Sequence, residues 1–162
     1  REWLYDRSAI QAGEYWRFWT GHLVHFGWLH LWWNLVVFLP AGIWAERLMP
    51  GRFRLFLGLA PFAIGVVLYE LSPSLSRYAG LSGMAAGVLT FLALAQLRRG
   101  TPDAWFWRAV LVMVAAKIGL EFALSHPLFA RFNHSEIRAV PLAHASGALL
   151  AVVAQFGRQG RG

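Results

Sequence analysis

Apolar positions in this chain gather into five long runs separated by short polar breaks. A helix that crosses a bilayer needs roughly 20 mostly apolar residues, within about 17–25. Runs of that kind cover about Trp28–Ala45, Phe53–Tyr69, Tyr78–Leu97, Trp105–Leu124 and Val140–Phe156. Pro40 and Pro61 fall inside the first two, where neighbouring helices can satisfy the carbonyls that a proline frees. The breaks carry turn chemistry: Met49-Pro50-Gly51, Ser72-Pro73-Ser74, Gly100-Thr101-Pro102 and the longer polar stretch Ser125–Arg138. Ahead of the first run, Glu14-Tyr15-Trp16-Arg17-Phe18-Trp19 alternates rings with charge and is too short and polar to span, so it is expected to lie in the membrane interface. The pattern predicts an all-α membrane protein of one domain. Residues 1–27 form an outer-face loop with interfacial helices, 28–157 five transmembrane helices, and 158–162 a cytoplasmic tail.

Composition supports that class. Of 162 residues, 57% are hydrophobic and only 14% charged, where a soluble domain carries about a quarter. An ordinary soluble enzyme is thereby excluded. The chain has no cysteine, which removes disulfides, thiolate metal sites and cysteine nucleophiles, and leaves the redox compartment open. Its formal charge of +7 would suit nucleic acid if the basic residues were clustered, but they are sorted by side of the membrane instead. Arg47, Arg52, Arg54, Arg98, Arg99, Arg108, Arg158 and Arg161 share one set of helix ends with only Glu46 and Asp103. The other set balances six arginines against five acids. By the positive-inside rule the first set faces the cytoplasm, so the basic excess reads as topology and no nucleic-acid partner is expected.

Polar groups inside spans are costly and mark functional sites by default. Here they are His30, Asn34, Ser82, Lys117, Glu121 and His144. With the orientation above, His30, Ser82 and His144 lie two to four positions below the outer start of three different helices, a depth of roughly 3–6 Å at 1.5 Å per residue. Ser82 sits in Gly80-Leu81-Ser82-Gly83, and Gly83 and Gly87 make a GxxxG seam. Ala143, Gly147 and Ala151 make a second small-residue seam in the last run. Packing the two seams would carry the Ser82 hydroxyl toward the His144 imidazole. Serine needs a base within about 2.6–3.2 Å to become a nucleophile, and histidine titrates in the right range. His30 and Asn34, four apart, share a helix face and are candidate oxyanion donors with the Ser82 backbone N–H. Each of these residues also has a purely structural reading as a helix-joining hydrogen bonder.

Lys117 and Glu121, an i,i+4 pair, are read as a structural ion pair, with a role for Glu121 in orienting the base or a substrate left open by its outer position. His22, His25 and His30 bring no carboxylate or cysteine at a familiar ligand spacing, so no metal and no cofactor is expected. His126 and His134 are expected in solvent, and the Ser125–Arg138 stretch as a lid.

Taken together, these residues resemble the rhomboid intramembrane serine proteases, and within them the bacterial rhombosortase branch. The likeness covers nearly the whole chain from Gly13. It consists of Trp16-Arg17, His25, His30-x-x-x-Asn34, Glu46-Arg47, Gly80-x-Ser82-Gly83-x-x-x-Gly87 and Ala143-His144-x-x-Gly147, in that order. Gly13-Glu14, Arg17, Thr20-Gly21-His22 and the Lys117/Glu121 pair are similar to rhombosortases in particular. The resemblance implies a six-helix bundle whose first helix is missing from this chain, with Ser82 as nucleophile, His144 as general base and no acidic third member. Trp16, Arg17, His25, Glu46, Arg47, Gly80, Gly83, Gly87 and Gly147 would be structural or supporting. It further implies an inner-membrane protein with its site toward the periplasm. Its substrates would be membrane-anchored proteins with a small-residue motif before a C-terminal transmembrane helix. Two positions depart from the family pattern: Ala86 replaces an aromatic residue that stacks on the histidine in many rhomboids, and Ala151 replaces a glycine. Two readings of other classes stay open on sequence alone, a rhomboid-like scaffold that binds helices without cutting them and an electron carrier with histidine haem ligands.

Overall fold

The computed structural model of the chain describes residues 2–124 and 140–157. The Ser125–Arg138 stretch with His126 and His134, and the 158–162 tail, lie outside the described residues.

Two short helices, α1 (Arg7–Gln11) and α2 (Arg17–Thr20), and a 3-10 turn at Gly21–Leu23 precede five long helices. These are α3 (Trp28–Leu48), α4 (Pro50–Leu71), α5 (Ser82–Arg99), α6 (Ala104–Leu124) and α7 (Pro141–Phe156). They coincide with the five apolar runs. Proline opens both α4 and α7, where its fixed φ suits the first turn and its missing N–H costs nothing. Asp6 caps α1 by accepting hydrogen bonds from the Ser8 and Ala9 N–H groups at 3.1 and 3.2 Å.

One feature departs from the sequence reading. The third run was expected to become helical at Tyr78, but the chain there is extended: Tyr5–Asp6 (β1) and Arg77–Tyr78 (β2) pair antiparallel, Tyr5 opposite Tyr78 and Asp6 opposite Arg77. Gly80, at φ 135°, then turns the chain into α5 in a conformation that side-chain-bearing residues rarely adopt. Ser82 is therefore the first residue of α5 rather than a residue within its first turn or two.

The small-residue helix α5 is the centre, packed against α3, α6 and α7. Its residues Gly83–Val88 are all buried. Gly83 abuts the backbone of Ala143, and a Cβ on Gly83 would lie 2.8 Å from the Ala143 carbonyl oxygen. One helical turn on, Gly87 and Gly147 make the same kind of approach, 2.7 Å from a Gly87 Cβ to the Gly147 oxygen. Phe53, Phe56 and Phe91 fill the space between α4 and α5, with ring centroids 5.3–6.3 Å apart.

Polar contacts fix the helix directions. At one end, Arg52 at the start of α4 and Arg98 at the end of α5 both donate to the Gln155 carbonyl near the end of α7, at 2.8 and 2.6 Å. At the other end the starts of α5 and α7 meet at Gly83 and Ala143, so these two helices run parallel. Glu121, near the end of α6, reaches His144 in the first turn of α7, so α6 runs the opposite way.

Apolar surface faces outward. α3 and α4 are long and apolar enough to cross a membrane, with mean hydropathies of 1.2 and 1.6, yet only 17% and 33% of those windows are buried within the protein. A soluble core helix would be largely covered. Trp28, Trp32, Leu55 and Leu59 are among the residues left more than half exposed. Of the other long helices, α5 carries Gln96, Arg98 and Arg99, α6 is as long and apolar as α3 but carries three charged residues, Arg108, Lys117 and Glu121, and α7 is shorter, with 16 residues.

Candidate active site

Ser82 owes its setting to its place at the head of α5. The N–H groups of a helix's first turn have no partner within the helix, and the first bond of α5 runs from the Ala85 N–H to the Leu81 carbonyl, at 2.8 Å. The backbone donors of Ser82 and Gly83 precede that bond, at the positive end of an 18-residue helix. The segment leading in is held from both sides. The Leu81 N–H donates to His25 Nε2 at 3.2 Å, and the Tyr78 hydroxyl donates to the Gly80 carbonyl at 2.8 Å. The buried Tyr78 phenol is also a neighbour of the Ser82 side chain.

Gly80 leaves room for a second imidazole. A Cβ placed on it would lie 3.0 Å from His30 Cε1 and 3.9 Å from Ser82 Oγ, so His30 and Ser82 flank one small space. The His30 and His25 rings stand edge to face with centroids 5.3 Å apart, and His30 is close enough to His144 to interact electrostatically. Asn34, buried one turn below His30, donates through Nδ2 to the His30 carbonyl at 3.0 Å. One of its two amide hydrogens is thus committed to its own helix.

His144 lies in the first turn of α7, 5% exposed, directly after the Ala143 that touches Gly83. Its Nδ1 is 2.6 Å from Glu121 Oε2, and Lys117 Nζ is 2.6 Å from Glu121 Oε1. The ion pair expected of Lys117 and Glu121 is present, and Glu121 also reaches the imidazole, the contact that its outer position left open. The carboxylate spends one oxygen on its own helix and the other on α7, because α6 presents its last turns to the first turn of α7. Ala86 offers no ring, and the contact made by His144 Nδ1 is with a carboxylate.

Nδ1 has two potential partners, since Lys117 Nζ also lies 3.2 Å from it. The shorter contact decides the tautomer. A nitrogen and a carboxylate oxygen at 2.6 Å need a proton between them, and the carboxylate has none to give when it also accepts from an ammonium. Nδ1 therefore carries the hydrogen and donates it to Glu121, and in the neutral ring the acceptor on His144 is then the Nε2 lone pair.

Other residues named from the sequence hold the frame. Arg17 is buried and donates to Glu14 Oε2 at 2.6 Å and to the Leu4 carbonyl at 2.8 Å, while Trp16 is 56% exposed. Glu46 pairs with Arg54 at 2.6 Å at the far end of the bundle, where Arg47 is exposed. His22, 2% exposed in the 3-10 turn, donates through Nε2 to the Pro61 carbonyl at 2.9 Å. Burial pushes its pKa down to about 4, so it is a neutral structural group at pH 7. With His22 on Pro61 and His25 on Leu81, these two rings serve different backbone partners rather than one centre.

The ensemble offers a hydroxyl at a helix N-terminus, an imidazole with an available lone pair on the abutting helix, and a second imidazole across Gly80. In the comparison with known protein families, the model described as Rhomboid domain matches residues 12–159. No curated protein matches the chain.

Proposed function

The chain belongs to the rhomboid family, integral membrane proteins that are generally intramembrane serine proteases and include inactive members, and on that premise we propose that it is an active serine endopeptidase. Ser82 is the nucleophile and His144 the general base. The observation that carries this reading is the abutment of Gly83 on Ala143: the residue before one and the residue after the other are the serine and the histidine. In the reaction, Ser82 Oγ attacks a peptide carbonyl as its proton passes to His144 Nε2. The tetrahedral oxyanion is met by the Ser82 backbone N–H at the head of α5, by His30 and by the second amide hydrogen of Asn34. The proton then goes to the leaving amine, and water resolves the acyl-enzyme. Substrate must reach the serine unwound, because a helical segment keeps its carbonyls bonded, and glycine or alanine at the cleaved site eases that unwinding.

All five long helices span the bilayer in this reading, as one domain preceded by the interfacial segment 1–27. The arginine-rich ends face the cytoplasm, which puts Ser82 near the periplasmic side of a bacterial inner membrane. The Gly13-Glu14, Arg17, Thr20-Gly21-His22 and Lys117/Glu121 features favour the rhombosortase branch. Its substrates would be membrane-anchored proteins with a small-residue motif before a C-terminal transmembrane segment.

Covalent labelling by a fluorophosphonate probe tests the reading. The full chain in detergent or liposomes should label, and Ser82→Ala and His144→Ala should not. Labelling that persists in both variants places the nucleophile elsewhere, and a folded wild-type chain that neither labels nor cuts is a scaffold.

A further inference from the structure

The Glu121 carboxylate is 3% exposed and the His144 side chain 6%, at the meeting of α6 and α7. Neutralising a membrane charge requires only Lys117, which is already one turn away on the same helix at 2.6 Å. A pair serving neutrality alone would have no reason to direct the second carboxylate oxygen at Nδ1 of the one imidazole that follows the α5 contact. From this three-residue array we propose that Glu121 is a positioning residue for His144, and that Lys117 positions Glu121 in turn. The proposal rests on His144 being the base for Ser82.

The chemistry of the array follows from its hydrogen bonds. Accepting from Nδ1–H, Glu121 holds the ring in the tautomer whose Nε2 lone pair can take the Ser82 proton, and stops rotation about the Cβ–Cγ bond. When the proton moves from Ser82 Oγ to Nε2, the imidazolium that forms has a carboxylate in contact with its other nitrogen. Lys117, bonded to Oε1, keeps that carboxylate ionised, so the Nδ1 proton stays on the ring and Glu121 is never protonated. The proton on Nε2 leaves with the amine product. In a setting with little water to stabilise an imidazolium, a fixed anion is worth more than it would be at a surface.

The experiment uses the full chain in liposomes and measures fluorophosphonate labelling of Ser82 at rising probe concentration, together with thermal unfolding. The variants are Glu121→Gln, Lys117→Gln and the neutral double variant Lys117→Gln/Glu121→Gln. A glutamine that turns its amide toward Nδ1 selects the wrong tautomer, so Glu121→Gln should lower the limiting labelling rate by roughly 10²–10⁴-fold, with little change in the half-saturating probe concentration. The double variant leaves no buried unpaired charge and should recover thermal stability but not labelling rate. A strongly downfield proton resonance from His144 Nδ1–H should be present in wild type and absent in Glu121→Gln. Restoration of the wild-type rate in the double variant would make the array a structural ion pair and overturn the proposal, as would an unchanged rate in folded Glu121→Gln. If wild type itself does not label, or labels equally in Ser82→Ala, it is the protease reading that fails.

Discussion

Replacing Gly83 by alanine isolates the contact on which the proposed Ser82–His144 site rests. The added methyl carbon would lie 2.8 Å from the Ala143 carbonyl oxygen, 3.1 Å from its carbon and 3.3 Å from its Cβ. Ordinary contact begins at 3.4 Å, so the shortfall is roughly half an ångström. No flexible side-chain end lies there to give way: two of the three atoms are helix backbone and the third is a Cβ. The helices themselves must part. Overpacking of this kind costs about 1–3 kcal/mol. The same displacement separates Ser82 from His144, since each is the chain neighbour of a residue in the contact. A shift of about 1 Å can cost a hundredfold in rate, so a shift half that size should cost roughly tenfold or somewhat more. Gly58 and Gly119, within α4 and α6, have open space where a Cβ would go and provide controls. Gly58→Ala and Gly119→Ala should raise stability by up to about 1 kcal/mol, because alanine loses less backbone freedom in a helix, and leave probe labelling unchanged. Thermal unfolding in detergent and the rate of fluorophosphonate labelling, normalised to folded protein, read the two effects. If Gly83→Ala behaves as the controls do, the close seam does not set the geometry of the site.

Other parts of the molecule give separate expectations. His22 is neutral in the folded chain with its pKa near 4, against 6.5 for a free imidazole, so the unfolded chain binds the extra proton between those values. Stability should be fully present above pH 6.5 and fall as pH drops toward 4, by up to about 3 kcal/mol. His22→Gln, able to keep a donor near the Pro61 carbonyl, should flatten the pH dependence of the unfolding temperature, and an unchanged slope would contradict the assignment. At the opposite end, Arg52→Ala with Arg98→Ala strips two charged donors from the Gln155 carbonyl and should cost about 1.5–3 kcal/mol. Labelling per folded molecule should be unaffected, because those contacts lie at the far end of α7; a selective loss of labelling would mean the two ends are coupled. Fluorophosphonate labelling lost in both Ser82→Ala and His144→Ala is expected throughout.

Much of the helical frame was readable from the order of residues. The third run, expected at Tyr78–Leu97, is the instructive exception. Its apolar character does continue back to Tyr78, but Tyr78 pairs with Tyr5, more than seventy positions away, and a periodicity of side chains carries no trace of so distant a backbone partner. The seams were visible because small residues four apart on each of two helices suffice to suggest close approach. Asn34 illustrates the opposite case: the i,i+4 spacing to His30 was plain, but the bond actually made, amide to backbone carbonyl within α3, is one of several that the spacing permits.

Sequence alone determined the five helices and marked the candidate polar residues within them, because apolar runs and 3.6-residue periodicity are local properties of the chain. It also marked Lys117 and Glu121 as partners, since neighbours on one helix are fixed by that period. Only the tertiary structure decided that Ser82 would begin α5, that His30 would face it across Gly80, and that the second oxygen of Glu121 would belong to His144. Those outcomes depend on the rotation and approach of one helix relative to another. They are set by the sum of many packing contacts and are written in no single stretch of the chain.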